Sequence, residues 1–159
     1  MAKGIKLKPS IFTPSDKIRK AVGYFDGGAN PRGAACAYHL FDANGPLDEG
    51  AVFLGEATSN VAETNGLLEL LKAARNQGIN YLRVKGDSSM VIKIAKREFG
   101  IKLPHLRKAF EPLLELEEDF MYIEYIWVPR EENSKADELN TKCLREYTRP
   151  KVQFISELD

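Results

Sequence analysis

Three hydrophobic runs, KAVGYFD (20–26), GAACAYHLFD (33–42) and GAVFLGEA (50–57), follow one another with connections of six and seven residues. Connections that short cannot hold the crossover that parallel strands need, so the three are expected to pair as an antiparallel meander. Asp26-Gly27 is a strong turn signal and reads as the end of the first strand. GPLDEG (45–50) reads as the turn before the third. The next stretch, TSNVAETNGLLELLKAARNQG (58–78), changes period. Glu63, Leu67, Leu70, Leu71 and Ala74 fall on one face of a helix, which Gly78 closes at C′. INYLRVKGD (79–87) is then a fourth strand and SSMVIKIAKREF (88–99) a helix. LPHLRKAFEPLLELEED (103–119) is a helix bent at Pro112, FMYIEYIWV (120–128) a fifth strand and NSKADELNTKCLREY (133–147) the last helix. The sum is an α/β chain with a five-stranded mixed sheet, three antiparallel strands plus two parallel, flanked by helices.

The 159 residues suit one domain. Residues 1–19 are basic, carry Pro9 and Pro14 and show no period, so they are expected as an N-terminal extension to a domain spanning 20–148, with 149–159 as a C-terminal tail. No apolar run approaches the ~18 residues of a membrane span, and MAKGIKLKPS lacks the apolar core of a signal peptide. The chain is therefore expected to be cytoplasmic, with no membrane association. Cys36 and Cys143 lie far apart without a CxxC pattern and read as reduced, buried thiols. His39 reads as a packing residue in a strand, His105 as a surface residue, and Trp127 as a packing residue. Formal net charge is zero, so the whole-molecule field does not announce a nucleic-acid binder. Basic residues nonetheless gather at Lys93, Lys96, Arg97, Lys102, Arg107 and Lys108, and acidic ones at Glu111, Glu115, Glu117, Glu118 and Asp119. Solvated surface charge explains both clusters, and a basic face opposite an acidic one is the alternative.

Four carboxylates stand out by position. Asp26 and Asp87 end the first and fourth strands, and Glu63 and Asp137 lie in the first turns of two helices. Each also has an ordinary reading. Asp26 fits a turn, and Asp87 fits an N-cap. Glu63 follows Asn60 by three residues and Asp137 follows Ser134 by three, as in capping boxes. Glu63 strains that reading because it heads the apolar face, where an unpaired carboxylate is very costly. If the first and fourth strands are parallel neighbours, Asp26 and Asp87 end at one sheet edge, where α/β sheets bind ligands. Helices entered from that edge would bring Glu63 and Asp137 there too. Four carboxylates together call for divalent cations, and all-oxygen ligation suits Mg²⁺ or Mn²⁺ rather than zinc.

The blocks YFDGGANPRGAACAY, TSNVAETNGLLELLKAA, VKGDSSMVIK and WVPREENSKADELN resemble, in order, the four signature blocks of type 1 ribonuclease H, in the style of its compact archaeal and bacterial members. The resemblance covers about Val22 to Leu144. It implies a ribonuclease H-like fold and a metal-dependent endonuclease that cuts the RNA strand of RNA/DNA hybrids, leaving 5′-phosphate and 3′-hydroxyl ends. Asp26, Glu63, Asp87 and Asp137 would be the catalytic and metal-binding set for two Mg²⁺ ions, or Mn²⁺, with Asp26 the bridge. One ion would activate the attacking water and the other stabilise the leaving oxygen. RNA 2′-hydroxyls would be met by Gly27, Gly28, Ala29, Ser59 and Asn60, and a DNA-strand phosphate by Asn30 and Thr58. Ser88, Arg130 and Asn133 complete the expected substrate contacts. No protein partner is implied, and a monomer is expected.

Three features depart from the family pattern. The loop PREENSKAD lacks the His that many members carry, leaving Arg130 or Glu131 as substitutes. Asp87-Ser88-Ser89 stands where many members read Asp-Ser-Gln. Only REFGIKLPHLRK occupies the place of the basic helical handle of some bacterial members. A non-catalytic module binding hybrid or double-stranded RNA, and a DNA-cutting enzyme of the same fold, are the competing readings.

Overall fold

The computed structural model describes residues 5–7 and 17–148. The strands are β1 Ile5–Leu7, β2 Lys20–Asn30, β3 Gly33–Asp42, β4 Gly45–Gly55, β5 Tyr81–Gly86 and β6 Tyr122–Trp127. The helices are α1 Ser59–Asn76, α2 Ser89–Ala95, α3 Pro104–Phe110, α4 Leu113–Glu117 and α5 Ser134–Thr148, with a 3₁₀ turn at Arg130–Glu132. The sheet runs β1-β6-β5-β2-β3-β4. β2, β3 and β4 form the antiparallel meander, and β2–β5 and β5–β6 are parallel. The five-stranded mixed sheet is thus as expected.

One strand was not expected. β1 pairs antiparallel with the outer edge of β6, Ile5 opposite Glu124 and Leu7 opposite Tyr122. Three residues carry too little pattern to announce a strand, and the open edge of β6 supplies the pairing partner. The expected tail at 149–159 lies outside the described residues.

Two further expectations are corrected. β2 does not end at Asp26. Its parallel ladder with β5 ends at Phe25↔Gly86, but its antiparallel ladder with β3 continues to Asn30↔Gly33. The turn lies beyond, at Pro31-Arg32, where the Asn30 Oδ1 accepts from the backbone N–H groups of Arg32 (2.8 Å) and Gly33 (3.1 Å). Likewise GPLDEG is not a turn but the start of β4. The connection is Ala43-Asn44, with the Asn44 N–H donating to Asp42 at 2.8 Å and Gly45 at φ +123°. Pro46 is tolerated because β4 is an edge strand.

Period two along β2 sorts the helices onto the two faces. Side chains built at Gly23 and Gly27 would strike Leu70 and Ala62 of α1, whereas one at Gly28 would approach Asn140 of α5. The main core lies on the α1 face, where Phe25, Leu67, Leu71, Leu82, Ile92 and Phe120 are all buried. As expected, Leu67, Leu70, Leu71 and Ala74 are fully buried and Gly78, at φ +75°, closes α1. Pro112 splits the expected bent helix into α3 and α4.

Candidate active site

The site lies where the β2–β5 ladder stops. Asp26 and Asp87 are the residues that follow Phe25↔Gly86 along the chain, Asp26 still on β2 and Asp87 just past the end of β5. Glu63 arrives from the second turn of α1. Carboxylate oxygens of Asp26, Glu63 and Asp87 lie within 4.8 Å of one another. Two glycines make that approach possible. A Cβ at Gly66 would stand 2.5 Å from the Asp26 carbonyl oxygen, and one at Gly27 would stand 2.3 Å from the Ala62 backbone. Helix and strand backbones therefore press together at Asp26 and Glu63, closer than any side chain would permit. Gly27 is needed for this contact rather than for a turn.

The capping explanations do not hold for Glu63 and Asp87. Thr58, not Asn60, caps α1, its Oγ1 accepting from the Val61 N–H at 3.2 Å. Ser88, not Asp87, caps α2, accepting from the Val91 N–H at 3.3 Å. Asp87 is left to face the other acids. Asp137 stands slightly apart, outside the 4.8 Å cluster and partly exposed, with Arg130 3.9 Å away. Its charge still reaches both Asp26 and Asp87.

Burial pushes the Asp26 carboxyl well above its ordinary range, and the Asp87 charge adds to this. Glu63 rises for the same first reason, reinforced by Asp26 and Asp87. Burial also raises Asp87, against the hydrogen bond from Asn133 and the Arg130 charge, which oppose the rise. Among the described residues the Glu63 Oε2 is sealed from solvent and meets no donor, with the Asp26 carboxyl beside it. Such an oxygen among like charges is a strongly unfavourable arrangement for the chain alone. A hard divalent cation bound by carboxylate oxygens would satisfy it, and the all-oxygen donor set fits Mg²⁺ or Mn²⁺.

The expected substrate contacts divide. Thr58, Ser59, Asn30 and Arg130 are exposed, and Gly27, Gly28, Ala29, Asn60 and Ser88 are partly so. Asn133 is not available to a substrate: it is 1% exposed, and its Nδ2 donates to the Phe25 carbonyl at 2.8 Å. Trp127 reverses its expectation. It is 52% exposed, and its indole N–H donates to the Asp87 carbonyl at 3.1 Å. A lone Trp near a strand end gives no signal for that bond in sequence. Cys36 and Cys143 are free and buried, His105 is exposed, and His39 stacks on Tyr24 with ring centroids 4.9 Å apart.

The reverse transcriptase-like family model matches residues 24–143. The chain is 33% identical over 122 residues to the bifunctional protein Rv2228c of Mycobacterium tuberculosis, covering 77% of this chain and 34% of that protein. It is 33% identical over 132 residues to ribonuclease HI of Halobacterium salinarum, covering 81% and 66%. It thus spans about a third of the mycobacterial relative and about two thirds of the archaeal one. Among solved structures, RNase H1 of Halobacterium salinarum superposes with TM-score 0.76 at 30% identity, covering 80% of this chain and 99% of that one. The N-terminal RNase H domain of the mycobacterial protein gives 0.76 at 31%, covering 80% and 94%. LC11-RNase H1, isolated from compost by a metagenomic approach, gives 0.74 at 26%, covering 80% and 97%. By its matched family model, its identities and its fold, this chain belongs to the reverse transcriptase-like family, among the type 1 ribonucleases H.

Proposed function

We propose that this protein is a divalent-metal-dependent ribonuclease H that hydrolyses the RNA strand of RNA/DNA hybrids, leaving 5′-phosphate and 3′-hydroxyl ends. The observation that carries the reading is the convergence of Asp26, Glu63 and Asp87, from three separate elements, within 4.8 Å, with one buried carboxylate oxygen unpartnered. A cap, a turn or a surface acid does not need that arrangement. Its relatives include an RNase H1 that has been solved in complex with an RNA/DNA hybrid.

Asp26, Glu63 and Asp87 would hold the cations, with Asp137 completing the set from α5. Bound there, two Mg²⁺ or Mn²⁺ ions would supply the charge stabilisation that phosphodiester hydrolysis demands at the attacking and leaving oxygens. The chain's own groups do the rest. Buried Asp26 and partly buried Glu63 are fixed by backbone contact between β2 and α1, so the negative field needs little rearrangement when ions and substrate arrive. Arg130, exposed beside Asp137 and close enough for its charge to act on Asp87, would meet a phosphate oxygen. The backbone around Gly27–Ala29 and the N-terminus of α1 at Thr58–Asn60 offer polar groups for RNA 2′-hydroxyls and a DNA-strand phosphate.

The test is an RNA/DNA hybrid labelled on each strand in turn and incubated with Mg²⁺. Cutting of the RNA strand alone, abolished by chelator and reduced at least ~1,000-fold in Asp87→Asn, is expected. Tight hybrid binding without cutting under Mg²⁺ or Mn²⁺ would replace the enzyme with a binding module.

A further inference from the structure

We propose that Asn133 and Trp127 are positioning residues that hold Asp87 in register with Asp26, one at the Asp87 carboxylate and the other at its backbone. The proposal rests on the metal-dependent reading above. Its starting point is a gap in the sheet. The last parallel rung between β2 and β5 is Phe25↔Gly86, so Asp26 and Asp87 share none. β2 is held past this point by β3, through Asn30↔Gly33. β5 ends at Gly86, and Asp87 opens the turn into α2. The relative position of two carboxylates that must share a ligand is therefore not set by the ladder.

Side chains supply the missing rungs. The Asn133 Nδ2 donates to the Phe25 carbonyl at 2.8 Å, on the last laddered residue of β2. The same side chain lies beside the Asp87 carboxylate and favours its charged form. One amide, bonded to the end of β2, thus stands against the side chain of Asp87. Its Oδ1 is buried without a partner among the described residues, so the residue is held for its donors and not for its acceptor. From the other side, the Trp127 indole N–H donates to the Asp87 carbonyl at 3.1 Å. Trp127 ends β6 beside Gly86, and the following Val128 N–H donates to the Gly86 carbonyl at 2.9 Å. The Trp127 ring is half exposed, so core packing does not account for it. Groups that orient metal ligands in this way typically change metal affinity or activity ~10- to 100-fold when removed.

The experiment compares wild type, Asn133→Ala and Trp127→Phe. Mg²⁺ uptake without substrate is measured by calorimetry, and hybrid cleavage by steady-state kinetics. Asn133→Ala is expected to bind Mg²⁺ about 10-fold more weakly or worse and to lose kcat in proportion, with KM for the hybrid within about twofold. Trp127→Phe keeps the ring and loses only the N–H. It is expected to shift Mg²⁺ affinity about threefold in the same direction, and as a surface change it tests the proposal should Asn133→Ala not fold. A lower Tm with wild-type Mg²⁺ affinity and kcat would make Asn133 merely structural and overturn its assignment. The same result for Trp127→Phe would overturn that of Trp127. No Mg²⁺ uptake by wild type would sink the metal-dependent reading and this proposal together, whereas uptake by wild type that the variants match would overturn this proposal alone.

Discussion

Glu63 shows what stability alone does not explain. Residue by residue the α1 stripe is apolar, and a leucine at its head would bury well; a glutamate there, with a sealed and unpartnered Oε2 beside Asp26, destabilises the bare fold. The consequence is measurable. A carboxyl whose folded pKa lies above its unfolded value keeps a proton that the unfolded chain has released, so stability falls as pH rises between the two values. For Asp26 that window runs from 3.8 to about 7, and Glu63 is raised in the same direction. The metal-free protein is therefore expected to lose on the order of 5 °C in Tm between about pH 4 and pH 8. Saturating Mg²⁺ should flatten the decline, and Glu63→Gln should flatten it without metal. A Tm that is flat or rising across the window in the metal-free wild type would contradict the electrostatics argued here. At this scale the acids were legible, because Glu63 sits on the wrong face for a charge and Asp26 and Asp87 sit near strand ends. Gly66 was not, and Asn133, expected to contact substrate, is instead buried against the Phe25 carbonyl. A glycine inside a helix and an asparagine at a helix start look ordinary until a backbone carbonyl is found against each.

Among the strands and helices, sequence pattern misleads where one feature serves two neighbours. β2 looked finished at Asp26 because Gly27 and Gly28 are poor strand formers, yet pairing with β3 carries the strand four residues further. Tertiary pairing overrode local propensity there, and the glycines proved to be packing contacts. The end of α2 gives a second case. Lys93–Arg97 read as part of a solvated basic cluster, but Arg97 occupies the C′ position at φ +62°, usually taken by glycine. The Arg97 N–H bonds the Ile94 carbonyl at 2.9 Å and the Glu98 N–H bonds the Lys93 carbonyl at 2.8 Å. Its guanidinium then forks onto Glu117, buried on α4 and also bound by the Tyr125 hydroxyl at 2.5 Å. The pair offsets the backbone strain. Arg97→Ala should destabilise by about 2 kcal/mol, leaving Glu117 short of its cation, and Arg97→Gly by about 1 kcal/mol less because glycine adopts that φ freely. Urea unfolding distinguishes the two. If alanine matches or exceeds glycine, the φ argument is wrong.

For the whole molecule, zero net charge hides an uneven surface. Lys102, Arg107 and Lys108 are exposed at and beside α3, and Arg130 stands at the site. If these residues follow the hybrid backbone in place of a helical handle, the dissociation constant should rise roughly 10- to 100-fold between about 50 and 200 mM salt. Replacing the three α3-region cations by alanine should then shallow the slope by about two to three units. A salt-independent constant would remove the basic face from the account. Much of the architecture was legible, since the meander followed by strand–helix alternation admits few topologies. β1 was not, because a three-residue strand is specified by the edge it completes and not by its own pattern.

If Asp26, Glu63 and Asp87 are arranged around divalent cations, crystals of the protein soaked in Mn²⁺ should show it in the anomalous signal. A peak is expected among the carboxylate oxygens of these three residues, lost in Asp26→Asn with the surrounding fold unchanged. Saturated crystals with no peak there, or a peak only at other surface acids, would contradict it.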